Sequence, residues 1–213
     1  AGVCPRLVEL ITHSSSEVQR PALRAAGNIV TGDAAQTQVM LDCGVLPCLL
    51  SLLGHTSTRI RKDAVYAISN ITAGTHDQIQ MVIDAGIIPP VINLLSTEDD
   101  EGVRREAAWA ISNATGSNAN VGQIKYLVEQ GCIAPLCSML SSQVAQTTSV
   151  VLRGLHDTLK VGEEDLEDSP SRINLVSIQI EGAGGVERIK ALRNHGNEDI
   201  QQRATKTLEA LYS

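Results

Sequence analysis

Phenylalanine is absent from this chain, and its other aromatics are one Trp and three Tyr, 2% of 213 residues. Leu, Ile, Val and Ala must then fill any core, which suits closely packed helices better than a sandwich or a large α/β sheet. No apolar run reaches the roughly eighteen residues of a membrane helix, and no signal peptide opens the chain, so a soluble intracellular protein is expected. Basic residues are the minority, 17 against 24 acidic for a net charge of −7, which argues against a nucleic-acid backbone and for a cationic partner. No C-x-x-C occurs, and the five cysteines (Cys4, Cys43, Cys48, Cys132, Cys137) are odd in number, as expected of free thiols in a reducing compartment. The histidines have no partner at i+4 and no H-E-x-x-H, so no metal is expected. Gly182-Ala183-Gly184-Gly185 lacks the Lys of a phosphate loop, and no nucleophile has a recognisable base, so neither a cofactor nor catalysis is expected. Asn70-Ile71-Thr72 and Asn113-Ala114-Thr115 match a glycosylation acceptor pattern, but in an intracellular helical chain they are expected to stay unmodified.

What the chain does have is a sentence written several times. Glu106-Ala107-Ala108-Trp109-Ala110-Ile111-Ser112-Asn113 is matched by Asp63-Ala64-Val65-Tyr66-Ala67-Ile68-Ser69-Asn70 and, further upstream, by Ala22-Leu23-Arg24-Ala25-Ala26-Gly27-Asn28. A second pattern begins at Gly44, Gly86 and Gly131 and returns, degenerate, at Gly185. A period near forty means stacked helical units rather than one large domain. After the stripe come Gly32, Gly74 and Gly116, expected as left-handed helix stops, then a short helix such as 36–42 or 78–84. Three helices per unit, the first short, predict an all-α three-helix solenoid of about four full repeats plus a partial first one. The expected boundaries are a partial repeat 1–33, then repeats near 34–75, 76–117, 118–161 and 172–213, with an acidic inter-helix loop at 162–171. The chain opens at a second helix, as an excised fragment would.

On a helix, residues four apart lie on one face, so Trp109 and Asn113 share a stripe with Glu106 one turn earlier. Through the five long helices the ring position reads Arg24, Tyr66, Trp109, Arg153 and Lys206, and the amide position Asn28, Asn70, Asn113, Asp157 and Ala210. Charged residues in this register mark it as exposed. Each Asn offers a donor and an acceptor to a peptide unit, the rings accept Lys or Arg, and Asp63 and Glu106 supply counter-charge. Such a groove reads an extended basic peptide.

The E-A-A-W-A-I-S-N segment, with G-N-I-V-T-G-D-A-A-Q-T-Q and I-T-A-G-T-H-D-Q-I-Q, resembles the armadillo repeats of the importin-α family over nearly the whole chain. The resemblance implies an armadillo-repeat right-handed superhelical solenoid acting as a nuclear-import adaptor of cytoplasm and nucleus that binds basic nuclear localisation signals at the family's minor site. It carries the site onto Val30, Thr37, Asp63, Asn70, Glu106, Trp109 and Asn113; Tyr66, in the ring register, departs from the family's usual Trp, and Asn28 extends the amide register one unit earlier. The family's importin-β-binding segment and major site have no counterpart here. By the same resemblance, an export receptor and a nucleoporin would meet residues 119–213, where Arg153, Asp157, Arg203 and Lys206 form a mixed-charge face beside the acidic loop. Nucleic acid and membrane are not expected partners. The competing readings are an armadillo scaffold of another family, which would offer a basic groove to acidic ligands, and a helical domain attached to an enzyme.

Overall fold

The computed structural model describes residues 2–164 and 174–212. Among them lie fourteen helices and no strand. Five long ones carry the stripe: α2 (Ser16–Ile29), α5 (Thr58–Thr72), α8 (Glu101–Ala114), α11 (Ala145–Glu164) and α14 (Glu198–Tyr212). Each follows a shorter helix, respectively α1 (Cys4–Ile11), α4 (Val45–Leu52), α7 (Ile88–Thr97), α10 (Ile133–Met139) and α13 (Gly185–Leu192). Between a long helix and the next pair stand α3 (Ala34–Asp42), α6 (His76–Asp84), α9 (Val121–Glu129) and α12 (Leu175–Gly182).

The chain divides into two compact units, residues 1–110 and 111–213, the division falling within α8. In the first, α1 packs on α2, and α2 and α4 pack on α5. Its core is Leu23, Leu49, Ile60, Ile68, Ile87 and their aliphatic neighbours. In the second, α11 lies between α10 and α14, and α13 packs on α14 around Leu136, Leu152, Leu155, Ile189 and Ile200. No aromatic side chain is buried in either core, which explains how the chain folds without Phe. All five cysteines are free, and burial pushes the thiols of Cys132 and Cys137 up to about 12 and about 11.

The short helices α3, α6 and α9 begin alike. Asp33 Oδ1 accepts from the Gln36 N–H at 2.8 Å while Gln36 Oε1 accepts from the Asp33 N–H at 3.2 Å. Thr75 with Gln78 and Asn120 with Gln123 repeat this reciprocal cap, which satisfies helix-end donors that would otherwise have no partner. The buried Gln78 also donates through Nε2 to the Ala34 carbonyl at 2.7 Å, so a capping residue ties α6 to α3.

These caps correct the expected role of the glycines after the stripe. The positive-φ glycines among the described residues are Gly44, Gly86, Gly131 and Gly184, each just before a second helix. Gly32 and Gly74 serve a different purpose: a Cβ there would stand 1.7 and 2.1 Å from the Oε1 of Gln36 and Gln78. They are small because the glutamine of the cap folds over them. Likewise Gly184, not Gly185, is the left-handed residue of the last copy, while a Cβ at Gly185 would stand 2.6 Å from Cys137 Sγ.

Three histidines hold the turns ahead of long helices. His13, His55 and His195 accept through Nδ1 from the backbone N–H two residues on, at 3.0, 2.9 and 3.1 Å. Of the acidic loop expected at 162–171, residues 162–164 are the last turn of α11, and 165–171 lie outside the described residues.

One ion pair closes the corner between α5 and α7. Arg61 donates to Glu98 through Nε at 2.7 Å and Nη2 at 2.8 Å, with side-chain exposures of 17% and 9%, and also to the His55 carbonyl. The hydrogen bonds from Arg61 hold the Glu98 carboxyl below the usual carboxylate range. A folded-state value lowered in this way stabilises the fold above the unfolded value of about 4.3, and the contribution vanishes as pH falls through the folded value. Glu98→Gln is therefore expected to cost roughly 1 kcal/mol at pH 7 and to flatten the acid limb of a Tm-against-pH curve below about pH 4.5. A parallel downward shift at every pH would contradict that linkage.

Candidate functional site

In the first unit the stripe residues assemble on three successive long helices. Tyr66 is half-buried in the middle of α5, and its ring lies on Gly27 of α2: a Cβ there would be 3.4 and 3.5 Å from Cδ1 and Cε1. That is ordinary van der Waals distance, so the ring packs directly over the glycine. One turn on, Asn70 Nδ2 donates to the Tyr66 carbonyl at 2.9 Å, which pins the amide to its own helix. One turn back, Asp63 accepts from Arg20 Nε at 3.4 Å.

A cleft of about 220 Å³ is lined by Arg24, Asn28, Lys62, Asp63, Tyr66 and Glu106, so four of the expected site residues share one depression. Lys62 and Arg24 add two cations to a site read from sequence as two carboxylates and a ring. Glu106 on α8 is half-buried, and burial raises its carboxyl above the ordinary glutamate value; Asp63 adds to the rise, while Lys62 and Arg105 oppose it. Trp109, one turn further along α8, is half-buried, as befits a ring with one face against the protein and one toward solvent.

Val30 and Thr37 stand apart from this group. Each is 3% exposed, and Thr37 Oγ1 donates to the Val30 carbonyl at 3.4 Å. Their side chains brace the end of α2 against α3 and lie under the surface.

The second unit continues the register in different chemistry. Asn113, half-buried, accepts through Oδ1 from Arg153 Nη2 at 2.8 Å. Arg153, expected on a separate C-terminal face, is thus bonded to a residue of the peptide register. Asp157, one turn after Arg153, has its carboxyl raised by burial and lowered by Arg153, Lys160 and Arg203. Arg203 holds both oxygens of Asp199 at 2.9 Å, and Ser149 Oγ also donates to Asp199; together they keep that carboxyl below its usual range. Lys206 is exposed; with Lys160 it lowers the proton affinity of His156, which burial already depresses, while Glu163 opposes them. Among the described residues no three His, Cys, Asp or Glu side chains converge to hold a metal.

Sequence reasoning missed Lys62 and Arg20. Both lie beside or within a turn of residues it chose, but their importance depends on which partner helix they reach. It also missed the Asp33/Gln36, Thr75/Gln78 and Asn120/Gln123 caps, whose spacing is a local signal that was open to reading.

The Armadillo/beta-catenin-like repeat pattern matches residues 1–31, 33–73, 75–116 and 120–156. Importin subunit alpha-1a of Oryza sativa subsp. japonica is 52% identical over 255 residues, covering 100% of this chain and 40% of its own length. Importin subunit alpha-3 of Arabidopsis thaliana is 47% identical over 214 residues with the same two coverages. This chain therefore spans about 40% of the length of those relatives. Among solved structures, a designed armadillo repeat protein in complex with the peptide (KR)4 superposes with a TM-score of 0.83 at 32% identity, covering 99% of this chain and 82% of that one. An exposed stripe on stacked long helices, four matched repeats and relatives of this identity agree: the chain belongs to the armadillo-repeat family, and within it resembles importin-α subunits.

Proposed function

We propose that this chain is the peptide-binding part of a non-catalytic nuclear-import adaptor, taking basic nuclear localisation signals on the face of Asn28, Asp63, Tyr66, Asn70, Glu106 and Trp109, with Val30 and Thr37 supporting it from beneath, and that Asn113 of the second unit is a further peptide-binding amide. The observation that carries this reading is the cleft in which Tyr66, Asp63, Glu106 and Asn28 meet. Two carboxylates and a ring face suit a Lys or Arg stem and charge. The importin-α relatives and the (KR)4 complex of the designed neighbour support the same ligand class. An adaptor of this kind works in cytoplasm and nucleus. Arg153, Asp157, Arg203 and Lys206 would then serve protein partners, the export receptor and a nucleoporin being the expected ones.

Lys62 and Arg20 temper the affinity. An incoming cation competes with them for Glu106 and Asp63, so binding is modest unless the peptide offers several basic residues. Fluorescence anisotropy with a Lys/Arg-rich octapeptide and a neutral Gly/Ser octapeptide tests the reading. The basic peptide should bind at least about tenfold more tightly, as expected for a cation entering a desolvated carboxylate-and-ring slot. Equal affinities would remove it.

Glu106 adds a pH signature. Because burial raises its carboxyl, it takes up a proton at a higher pH than an ordinary glutamate, and a protonated Glu106 no longer attracts a cation. Basic-peptide affinity should begin to fall above the usual glutamate range as pH is lowered, and Glu106→Gln should abolish that early fall. The same shift has the opposite sign for stability: the folded state binds the proton more readily, so Glu106 makes folding more favourable as pH falls through its raised value.

A further inference from the structure

In the second unit the end of α8 and the middle of α11 pack too closely for a Cβ between them: one on Gly154 would stand 2.8 Å from Ser112 Oγ. The chain neighbours of that pair are Arg153 and Asn113, and the close approach lets the arginine cross the gap. Arg153 Nη2 donates to Asn113 Oδ1 at 2.8 Å. A charged donor makes this one of the stronger kinds of side-chain hydrogen bond.

Asn113 Oδ1 is the acceptor that the backbone N–H of an extended peptide would need. A guanidinium of the protein already sits on it. The oxygen has a second lone pair, but the cation that holds the first also repels a Lys/Arg-rich chain from the same place.

Two observations show that this seat can be left. Arg153 Nε is buried without a partner, so the arginine reaches Asn113 with one of its donors unsatisfied. A second seat also lies one turn along the same helix, at the half-buried Asp157, four residues on and so on the same face. Burial raises the Asp157 carboxyl, and among the cations that oppose this rise, Arg153, Lys160 and Arg203, Arg153 acts most strongly. Arg203 is committed to both oxygens of Asp199, at 2.9 Å each.

We propose that Arg153 is a specificity-determining latch, which withholds Asn113 from a basic peptide until the guanidinium turns back to Asp157 on its own helix. The inference rests on the basic-peptide reading. A ligand then gains Asn113 only after its other contacts are made, so the chain discriminates against peptides that depend on this amide.

The test is calorimetry on the whole chain with a long Lys/Arg-rich peptide, circular dichroism verifying that each variant is folded. Arg153→Met keeps an unbranched, helix-forming stem and removes every donor. It should bind the peptide about fivefold more tightly than the wild-type chain, the scale of one hydrogen bond that no longer has to be displaced. Loss of a positive charge would by itself favour a cationic ligand, so the deciding comparison is made in an Asn113→Ala background. There Arg153→Met should gain less than about twofold, because no amide remains to be released. An equal gain in both backgrounds would mean general charge repulsion and overturns the latch, as does no gain in either. Asp157→Asn should weaken binding about twofold more in the wild-type chain than in Arg153→Met, since only the former has an arginine to reseat. Equal losses in the two would overturn the turn to Asp157. A neutral Gly/Ser peptide separates failure of the latch from failure of the reading beneath it. If every variant binds it as tightly as the basic peptide, the basic-peptide reading is wrong and the latch falls with it. If the basic peptide is preferred and Arg153→Met gains nothing, the reading stands and the latch alone is removed.

Discussion

Replacing Trp109 with alanine is expected to weaken binding of a Lys/Arg-rich peptide by about 1–3 kcal/mol, the sum of lost stem burial and lost cation–π attraction. The indole is half-buried on α8, one turn from Glu106 and in the register that Tyr66 occupies on α5. A Lys or Arg seated there would have a carboxylate one turn away and a flat face to lie on. Trp109→Phe should recover part of the loss, because a phenyl ring keeps a face but a smaller one. Isothermal calorimetry measures the effect, with circular dichroism verifying the helices. An unchanged affinity in a folded Trp109→Ala chain would remove Trp109 from the site.

Gly154→Ala should destabilise the protein by about 1–3 kcal/mol, as overpacking does. The sign carries the argument. In an open helix interior the same change stabilises by about 1 kcal/mol, since glycine is the poorer helix former. Here a Cβ on α11 would stand 2.8 Å from Ser112 Oγ and 3.1 Å from Ser112 Cα on α8. Backbone cannot yield as the end of a long side chain can, so the helices must part. Gly182→Ala, whose Cβ would meet nothing within 4 Å, is the control and should be neutral or slightly stabilising. Urea unfolding of the two variants decides: equal midpoints would mean that the small residues at Gly154 and Ser112 are not what sets the approach of those helices.

Helix geometry explains why the exposure of part of the candidate site was legible. Ring and amide positions recur four apart on helices whose buried faces are set by Ala, Ile, Leu and Val, so the pattern shows which side chains point away from the core. Tyr66, Asn70, Trp109, Asn113, Arg153 and Asp157 all occupy half-exposed positions in the fold, as that register requires. Val30 and Thr37 came from resemblance alone, with no register behind them, and both lie beneath the surface. The glycines show where local reading misleads. Gly32 and Gly74 occupy the position of a left-handed helix stop, but the left-handed residues are Gly44, Gly86, Gly131 and Gly184. Smallness at Gly32 and Gly74 is demanded by Gln36 and Gln78 folding back in the caps.

The sequence by itself determined the repeated helical unit, the aliphatic core without Phe, and the stripe of rings and amides, because helix periodicity and burial are properties of residues within a turn or two of each other. Only the tertiary structure decided which charges meet. Lys62 and Arg24 join Asp63 and Glu106 in one cleft, and Arg153 takes the Asn113 amide from 40 residues away. Those pairings depend on how closely neighbouring helices approach and which way long, flexible side chains turn across the gap. A single α-helical register leaves both undetermined, since lysine and arginine stems reach carboxylates on either side of them at nearly equal cost.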